Sequence, residues 1–450
     1  MEGTTPHAPP GLHAPITRSA LGLSRDLAAG TLELNYCDLV ELLQSPELLS
    51  KQFSASYSIL LKGVLRYRAV SDKIIPLIPQ ASSGVYTGPE VVVKISFEAD
   101  PKQDNSLELE AKIYSGVIND ILLHHFSPNF PVCISTYFCD GFRQNIAEGM
   151  ASTNMIQQEL YEQIGDDLIE IEERNGEFYD LDSARFLVLE KVNGINLDTY
   201  LELPLEQDED EGEEGNTRTY DDTLAVIFQL LYSIRVMTVM GIRHNDLHMG
   251  NVFVVEKITP TPYLFFITKE IYFVMNLSYL VKIIDFDLSN LRNVDNTRIE
   301  TDNLCVQYGI CNEENPKFDE FTVLKFMYDI ALSSDDELLQ EFCLKCGSQE
   351  LFDTEFPKYG RLCDLDESVE PPVCRGNWVP PDSELKTIPQ ILMMDEFVPY
   401  RQKLPDFDPR YIPESFRELY GTNIYAFPTV NFKELFTVLS TSKITPIDFI

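Results

Sequence analysis

The sequence predicts an α+β fold, and three observations predict it. Leu224, Ile227, Phe228, Leu231 and Ile234 recur at i, i+3, i+4, i+7 and i+10, which describes one apolar helical face, and Gly241 stands where such a helix ends. The short β-branched runs VVVK ending at Lys94, VFVV at Val252–Val255 and LVKII at Leu280–Ile284 read as strands. A polar run, HNDLHMGN from His244 to Asn251, separates the helix from VFVV, and DFD, Asp285 to Asp287, follows LVKII directly. The order is helix, loop, strand, strand, DFD.

Composition narrows the class. With 450 residues, 44% of them hydrophobic, the chain is long enough to bury a large core. Thirty-five basic against 72 acidic residues leave a net charge of −37, which argues against a nucleic-acid surface or an anionic membrane as the main partner and favours basic protein partners. Nine cysteines, an odd number spread along the chain, do not resemble a disulfide framework and no secretory segment precedes them, so a reduced cytoplasmic setting is expected. Cys343, Cys346, Cys363 and Cys374 could supply four thiolates to a structural zinc, with buried free thiols the plainer reading. The most apolar stretch, Tyr263 to Ile284, is interrupted by Lys269 and Glu270 and reads as an inserted strand or hairpin, so no transmembrane segment is expected there.

Asp246 and Asn251 stand five positions apart, the separation that places a catalytic carboxylate beside a metal-binding amide, and Asp285 can supply a second metal ligand. With Lys94 closing VVVK, Glu110 in LELEAKIY and the run RFLVLEKVNG from Arg185, these residues resemble the protein-kinase-like superfamily over roughly residues 55 to 335. His248, Asn245 and Asp287 move the likeness to its atypical branch, similar to haspin-like kinases and to kinase-like proteins of large cytoplasmic DNA viruses.

The resemblance implies a two-lobed protein-kinase-like fold, with a small mainly-β N-lobe carrying one helix and a larger mainly-α C-lobe. It also implies ATP and Mg²⁺, transfer of the γ-phosphoryl group to Ser or Thr of a protein substrate, and a host-cell cytoplasmic setting with packaging into particles. On this likeness Asp246 orients the acceptor hydroxyl, Asn251 and Asp285 hold Mg²⁺ with Asp287 adding to the metal site, and His248 contacts the γ-phosphate. Lys94 contacts the other phosphates and is fixed by Glu110, with Glu108 the rival for that place. Ser82, Ser83 and Gly84 form a degenerate glycine-rich loop over phosphate, Leu189 backs the adenine pocket, and the backbone from Glu190 to Val192 meets the adenine edge. Asp319 accepts hydrogen bonds from the catalytic-loop backbone. Asn245 replaces an arginine that pairs with phosphorylated activation loops, and no A-P-E run follows DFD. A choline- or aminoglycoside-kinase-like enzyme and a nucleotide-binding pseudokinase scaffold are the alternatives.

The expected organisation is a mobile tail at 1–25, a helical extension at 26–54 around Leu39, Leu42 and Leu43, and an N-lobe at 55–192 with an acidic insertion at 141–182. A C-lobe core at 193–335 follows, with a charged loop at 206–215 and a strand insertion at 256–280, and then a C-lobe completion or interaction module at 336–450.

Overall fold

The computed structural model describes residues 39–49, 58–65, 89–99, 105–151, 155–175, 179–205, 217–268, 271–353, 362–403 and 423–428. The chain is mixed α+β, sheet-rich in its N-terminal part and helical later. The tail at 1–25, the charged loop at 206–215 and Ser82, Ser83 and Gly84 lie outside the described residues.

The N-terminal sheet contains β1 (Leu43–Leu48), β2 (Ser58–Leu65), β3 (Glu90–Ala99), β4 (Cys133–Asp140) and β5 (Tyr179–Glu190), in the order β1-β2-β3-β5-β4, with every neighbouring pair antiparallel. Alternation sets the register of β3: Val91, Val93, Ile95 and Phe97 are buried in the apolar core, which puts Lys94 and Ser96 on the opposite face. A slip of one residue would drive the Lys94 ammonium among those apolar side chains. Of the expected helical extension the structure describes residues 39–49: α1 (Leu39–Leu42) is helical, and Leu43 starts the edge strand β1 and pairs with Leu65.

α2 (Ser106–Lys112) runs through a π-helical turn, Ile113–Ile118, into α3 (Asn119–Leu123). The acidic insertion forms α4 (Phe142–Met150) and α5 (Met155–Asn175), and α5 turns Leu160, Tyr161, Ile164, Leu168 and Ile171 onto the core while its carboxylates face outward.

After β6 (Ile195–Asn196) and α6 (Leu197–Leu201), the central helix is α7 (Tyr220–Met240). The Thr219 side chain caps its start by accepting from the Asp222 N–H, and Gly241 ends it at φ +85°, where a β-carbon would be strained. α7 is long and apolar enough to cross a membrane, and among the described residues it is the only such helix; most of it is buried inside the protein. Next come β7 (Ile242–Arg243) and the long hairpin of β8 (Val252–Phe266) and β9 (Ile271–Ile283). The run expected to be an inserted strand or hairpin is thus the pair of hairpin arms, with a register shift between Glu256 and Thr261. β10 (Asn290–Leu291) pairs with β7, and α8 (Thr297–Thr301), α9 (Leu304–Tyr308), α10 (Phe318–Ser333) and α11 (Glu337–Cys346) follow.

The C-terminal part returns to this body. β11 (Leu365–Asp366) pairs with β12 (Val373–Cys374), β13 (Arg401–Lys403) adds to β9, β14 (Ile424–Ala426) runs parallel to β8, and Leu385, Ile391, Phe397 and Ile424 are buried in the same core as α7. The cysteines differ from expectation. Cys363 is bonded to Cys374 and Cys305 to Cys311, so a four-thiolate zinc site at Cys343, Cys346, Cys363 and Cys374 is ruled out as these residues are placed. Cys343 and Cys346 are buried free thiols in α11 whose pKa values burial raises, which disfavours thiolate ligands there.

Candidate active site

The HNDLHMGN loop starts where Gly241 stops α7, and its backbone is held from a distance in sequence. The N–H groups of His244 and Asn245 donate to Asp319 Oδ2 and Oδ1 at 2.7 and 2.9 Å, which fixes the loop to the first turn of α10. His244 is fully buried and spans both motifs: its Nε2 lies 2.9 Å from the Ile284 carbonyl and its Nδ1 accepts from the Asp246 N–H at 3.3 Å. Those two partners require a neutral ring with its proton on Nε2. Asn245 adopts φ +67°; its Nδ2 donates to the Leu288 carbonyl at 2.8 Å, and its Oδ1 accepts from Arg243 Nε. An amide thus occupies the place expected of a phosphate-pairing arginine.

Asn251 Nδ2 donates to the Asp246 carbonyl at 2.9 Å, a bond across the loop that sets both side chains. His248 Nδ1 accepts from the Gly250 N–H at 3.1 Å, which turns its Nε2 to within 3.7 Å of Asp246 Oδ2. A β-carbon at Gly250 would meet the His248 ring at 2.9 Å, so the glycine is needed for that close turn.

Facing this loop, Lys94 Nζ lies 2.9 Å from Glu110 Oε1 and 2.8 Å from Asp285 Oδ1. Strand β3, helix α2 and the DFD motif therefore converge on one ammonium. Glu108, the rival for this place, is instead exposed and paired with Lys112. Tyr114, one turn beyond Glu110, accepts the Asp285 N–H at 2.8 Å, and its ring packs edge-on against Phe286 with centroids 5.0 Å apart. Asp285 has φ +65°, uncommon for a residue with a side chain, and these two contacts hold it there.

Electrostatics in the cleft are acidic. Burial raises the Asp285 carboxyl first, then the field of Asp287, while Lys94 opposes both and Asp246 adds a smaller upward push. Glu110 is likewise raised by burial against the pull of Lys94, and its Oε2 is buried with no hydrogen-bond partner. Asp285 Oδ2 and Asn251 Oδ1 have no hydrogen-bond partner among the described residues. A hard divalent cation held here would take Asp285 Oδ2 and Asn251 Oδ1 as its oxygen donors. Arg298 holds Asp287 Oδ2 at 2.9 Å and Asn296 Nδ2 donates to the Asp287 carbonyl at 2.8 Å, so Asp287 anchors the segment that follows while its charge acts on Asp285.

Leu189 is buried on β5 beside Val92 and Cys133. The Glu190 N–H is committed to the Val132 carbonyl at 2.9 Å and the Lys191 N–H to the Glu90 carbonyl at 3.3 Å, so these two N–H groups of the run from Glu190 to Val192 are taken. Among the described residues the Val192 backbone has no hydrogen-bond partner. Sequence reasoning missed Lys282, whose buried Nζ bonds the Phe130 carbonyl at 2.9 Å and Glu190 Oε2 at 3.3 Å. The signal was a lysine inside the apolar run LVKII, since a charge there needs a buried partner. No family model and no curated protein matches the chain.

Proposed function

We propose that the protein is an ATP-dependent phosphotransferase of protein-kinase-like fold, of the atypical branch, that transfers the γ-phosphoryl group to Ser or Thr hydroxyls of a protein substrate. The observation that carries this reading is the convergence of Glu110 and Asp285 on Lys94 Nζ, at 2.9 and 2.8 Å, opposite the Asp246–Asn251 loop. In this reading the three segments supply a cation, a carboxylate that would bind metal and a candidate base, the groups that in-line phosphoryl transfer uses.

In this reading Lys94 binds the nucleotide phosphates, and Glu110 keeps its ammonium from collapsing wholly onto Asp285. Asp285 and Asn251 would hold Mg²⁺, which neutralises phosphate charge when bound. Asp246 orients the acceptor hydroxyl and takes its proton. His248 Nε2, a short step from Asp246, donates toward the transferring oxygens. Val192 offers its backbone to the adenine edge, and Leu189 closes the pocket behind it. The net charge of −37 favours a basic stretch of protein as acceptor.

The test of acceptor class is incubation with labelled Mg·ATP beside a basic protein mixture, choline-like alcohols and aminoglycosides. Label on Ser or Thr of protein supports the reading, and label in a small molecule alone replaces it with a small-molecule kinase. The same reading places the enzyme in the cytoplasm, where disulfides are uncommon, so mapping thiols in protein taken from cells tests that placement.

A further inference from the structure

Asn105 immediately precedes α2 and is the residue type most favoured to cap a helix, yet its side chain makes no cap hydrogen bond to α2. It is turned instead to the segment after DFD. The Asn105 N–H donates to Thr297 Oγ1 at 2.8 Å, Asn105 Oδ1 accepts from the Thr297 N–H and hydroxyl, each at 3.1 Å, and Asn105 Nδ2 donates to the Asp295 carbonyl at 3.1 Å. A helix cap has been given up for four bonds to a distant segment, three to Thr297 at 192 positions and one to Asp295 at 190. A local preference overridden in this way points to a purpose beyond the helix itself.

The bonds close a ring through the cleft. From Asn105 the path runs along α2 to Glu110, across to Lys94 at 2.9 Å, and on to Asp285 at 2.8 Å. Two residues further, Asp287 Oδ2 is 2.9 Å from Arg298 Nη1, and Arg298 is the neighbour of Thr297. The same helical stretch carries Tyr114, which holds the Asp285 N–H. The Lys94–Asp285 pair lies on this ring, and the Asn105–Thr297 contact joins the start of α2 to the segment after DFD through neutral groups. Nearby, Asn296 Nδ2 bonds the carbonyls of Asp287 and Ser289 at 2.8 and 2.9 Å, and Asn312 exchanges bonds with the Asn296 backbone at 3.1 and 3.2 Å. Neutral amides brace the segment on both sides of Thr297.

We propose that Asn105 and Thr297 are positioning residues for the phosphoryl-transfer site: their reciprocal hydrogen bonds hold α2 against the segment after DFD and so keep Glu110 and Lys94 in register with Asp285. This rests on the functional reading above for its catalytic consequence, but not for its structural one. Neither residue touches the reacting groups; each acts through α2.

The experiment compares wild type with Asn105→Ala, Thr297→Val and Thr297→Ser, using amide hydrogen exchange of residues 106–118 without nucleotide, and kcat and KM for Mg·ATP on a basic protein mixture. Asn105→Ala and Thr297→Val should speed exchange of 106–118 about tenfold, with exchange in α7 unchanged, and should lower kcat about tenfold with KM moved less than threefold. Thr297→Ser, which keeps the Oγ, should restore both to within about twofold. Unchanged exchange at 106–118, or a serine variant as impaired as valine, overturns the proposal. If Asn105→Ala does not fold, Asn105→Asp replaces it: the variant keeps the acceptor for Thr297 and loses only the bond to Asp295, so near-wild-type exchange supports the proposal and tenfold faster exchange contradicts it. A wild type that transfers no phosphate to any acceptor defeats the enzymatic reading, while the exchange measurements still decide whether the contact holds α2.

Discussion

Asp319 receives the N–H groups of both His244 and Asn245, one on each carboxylate oxygen, at 2.7 and 2.9 Å. Asp319 and both loop residues are buried, so water cannot replace those bonds. Asp319→Ala leaves two buried donors unpaired and should cost about 2–4 kcal/mol of stability. It should also lower phosphoryl transfer by about a hundredfold, because Asp246 follows the released backbone. Urea unfolding beside a transfer assay checks both, and loss of stability with full activity would show that the loop holds its own shape.

Lys282 and Glu190 join the end of β5 to the strand before DFD. Lys282→Met leaves Glu190 Oε2 with the Val132 N–H but without its counter-charge and frees the Phe130 carbonyl, so about 2–4 kcal/mol of stability should be lost. Because Glu190 begins the proposed adenine-contacting stretch, KM for ATP should rise about tenfold with little change in kcat. A fall in kcat at constant KM would place the pair's influence elsewhere.

Much of the site could be read from the residues. Asp246, Asn251, Lys94, Glu110 and Asp285 were named by spacing and resemblance, and the structure places Lys94 between Glu110 and Asp285 and bonds Asn251 to the Asp246 backbone. Lys94 was legible because a two-residue period leaves no doubt about which face of β3 it takes. What escaped depends on contacts between distant segments, for which one sequence carries no local signature. Cys363 reads as a free thiol but is bonded to Cys374, and Asp287 and Asn105 find partners in the segment around Thr297 that neighbouring residues in sequence do not announce. The edge strand at Leu43 was hidden for the same reason: its leucines fit a helical spacing, and pairing with β2 overrides that preference.

Glu320 gives a pH signature independent of the cleft. Its side chain is buried, Oε1 has no hydrogen-bond partner, and burial pushes its carboxyl up to about 8 against the opposing charges of Lys317 and Arg235. The folded state therefore keeps a proton that the unfolded chain releases near its ordinary value of 4.5. Stability should fall as pH rises from that unfolded value to the folded one, by roughly 3–5 kcal/mol in all, and level off above it. Glu320→Gln should flatten this slope and be the more stable protein at alkaline pH. Parallel slopes for the two proteins in thermal unfolding from acid to alkaline pH would show that Glu320 is ionised throughout.

The Cys305–Cys311 bridge closes a short loop just before Glu313, and the carbonyls of Cys311 and Glu313 both receive the Arg243 guanidinium. Replacing both cysteines with serine should cost about 2 kcal/mol through the freed unfolded chain. Chemical denaturation of the oxidised protein and of the double variant measures the difference, and equal stability would mean that the bond adds nothing to the fold.

The central claim is that Asp246 is the base of a phosphoryl-transfer site, and Asp246→Asn tests it most directly. Asparagine keeps the size of the side chain and removes its charge. Calorimetric titration with Mg·ATP, paired with transfer to a basic protein mixture, should give a Kd within about threefold of wild type and a rate lowered by about a thousandfold. A variant that binds Mg·ATP and transfers phosphate at the wild-type rate, or a wild type that binds it and transfers none, contradicts the account.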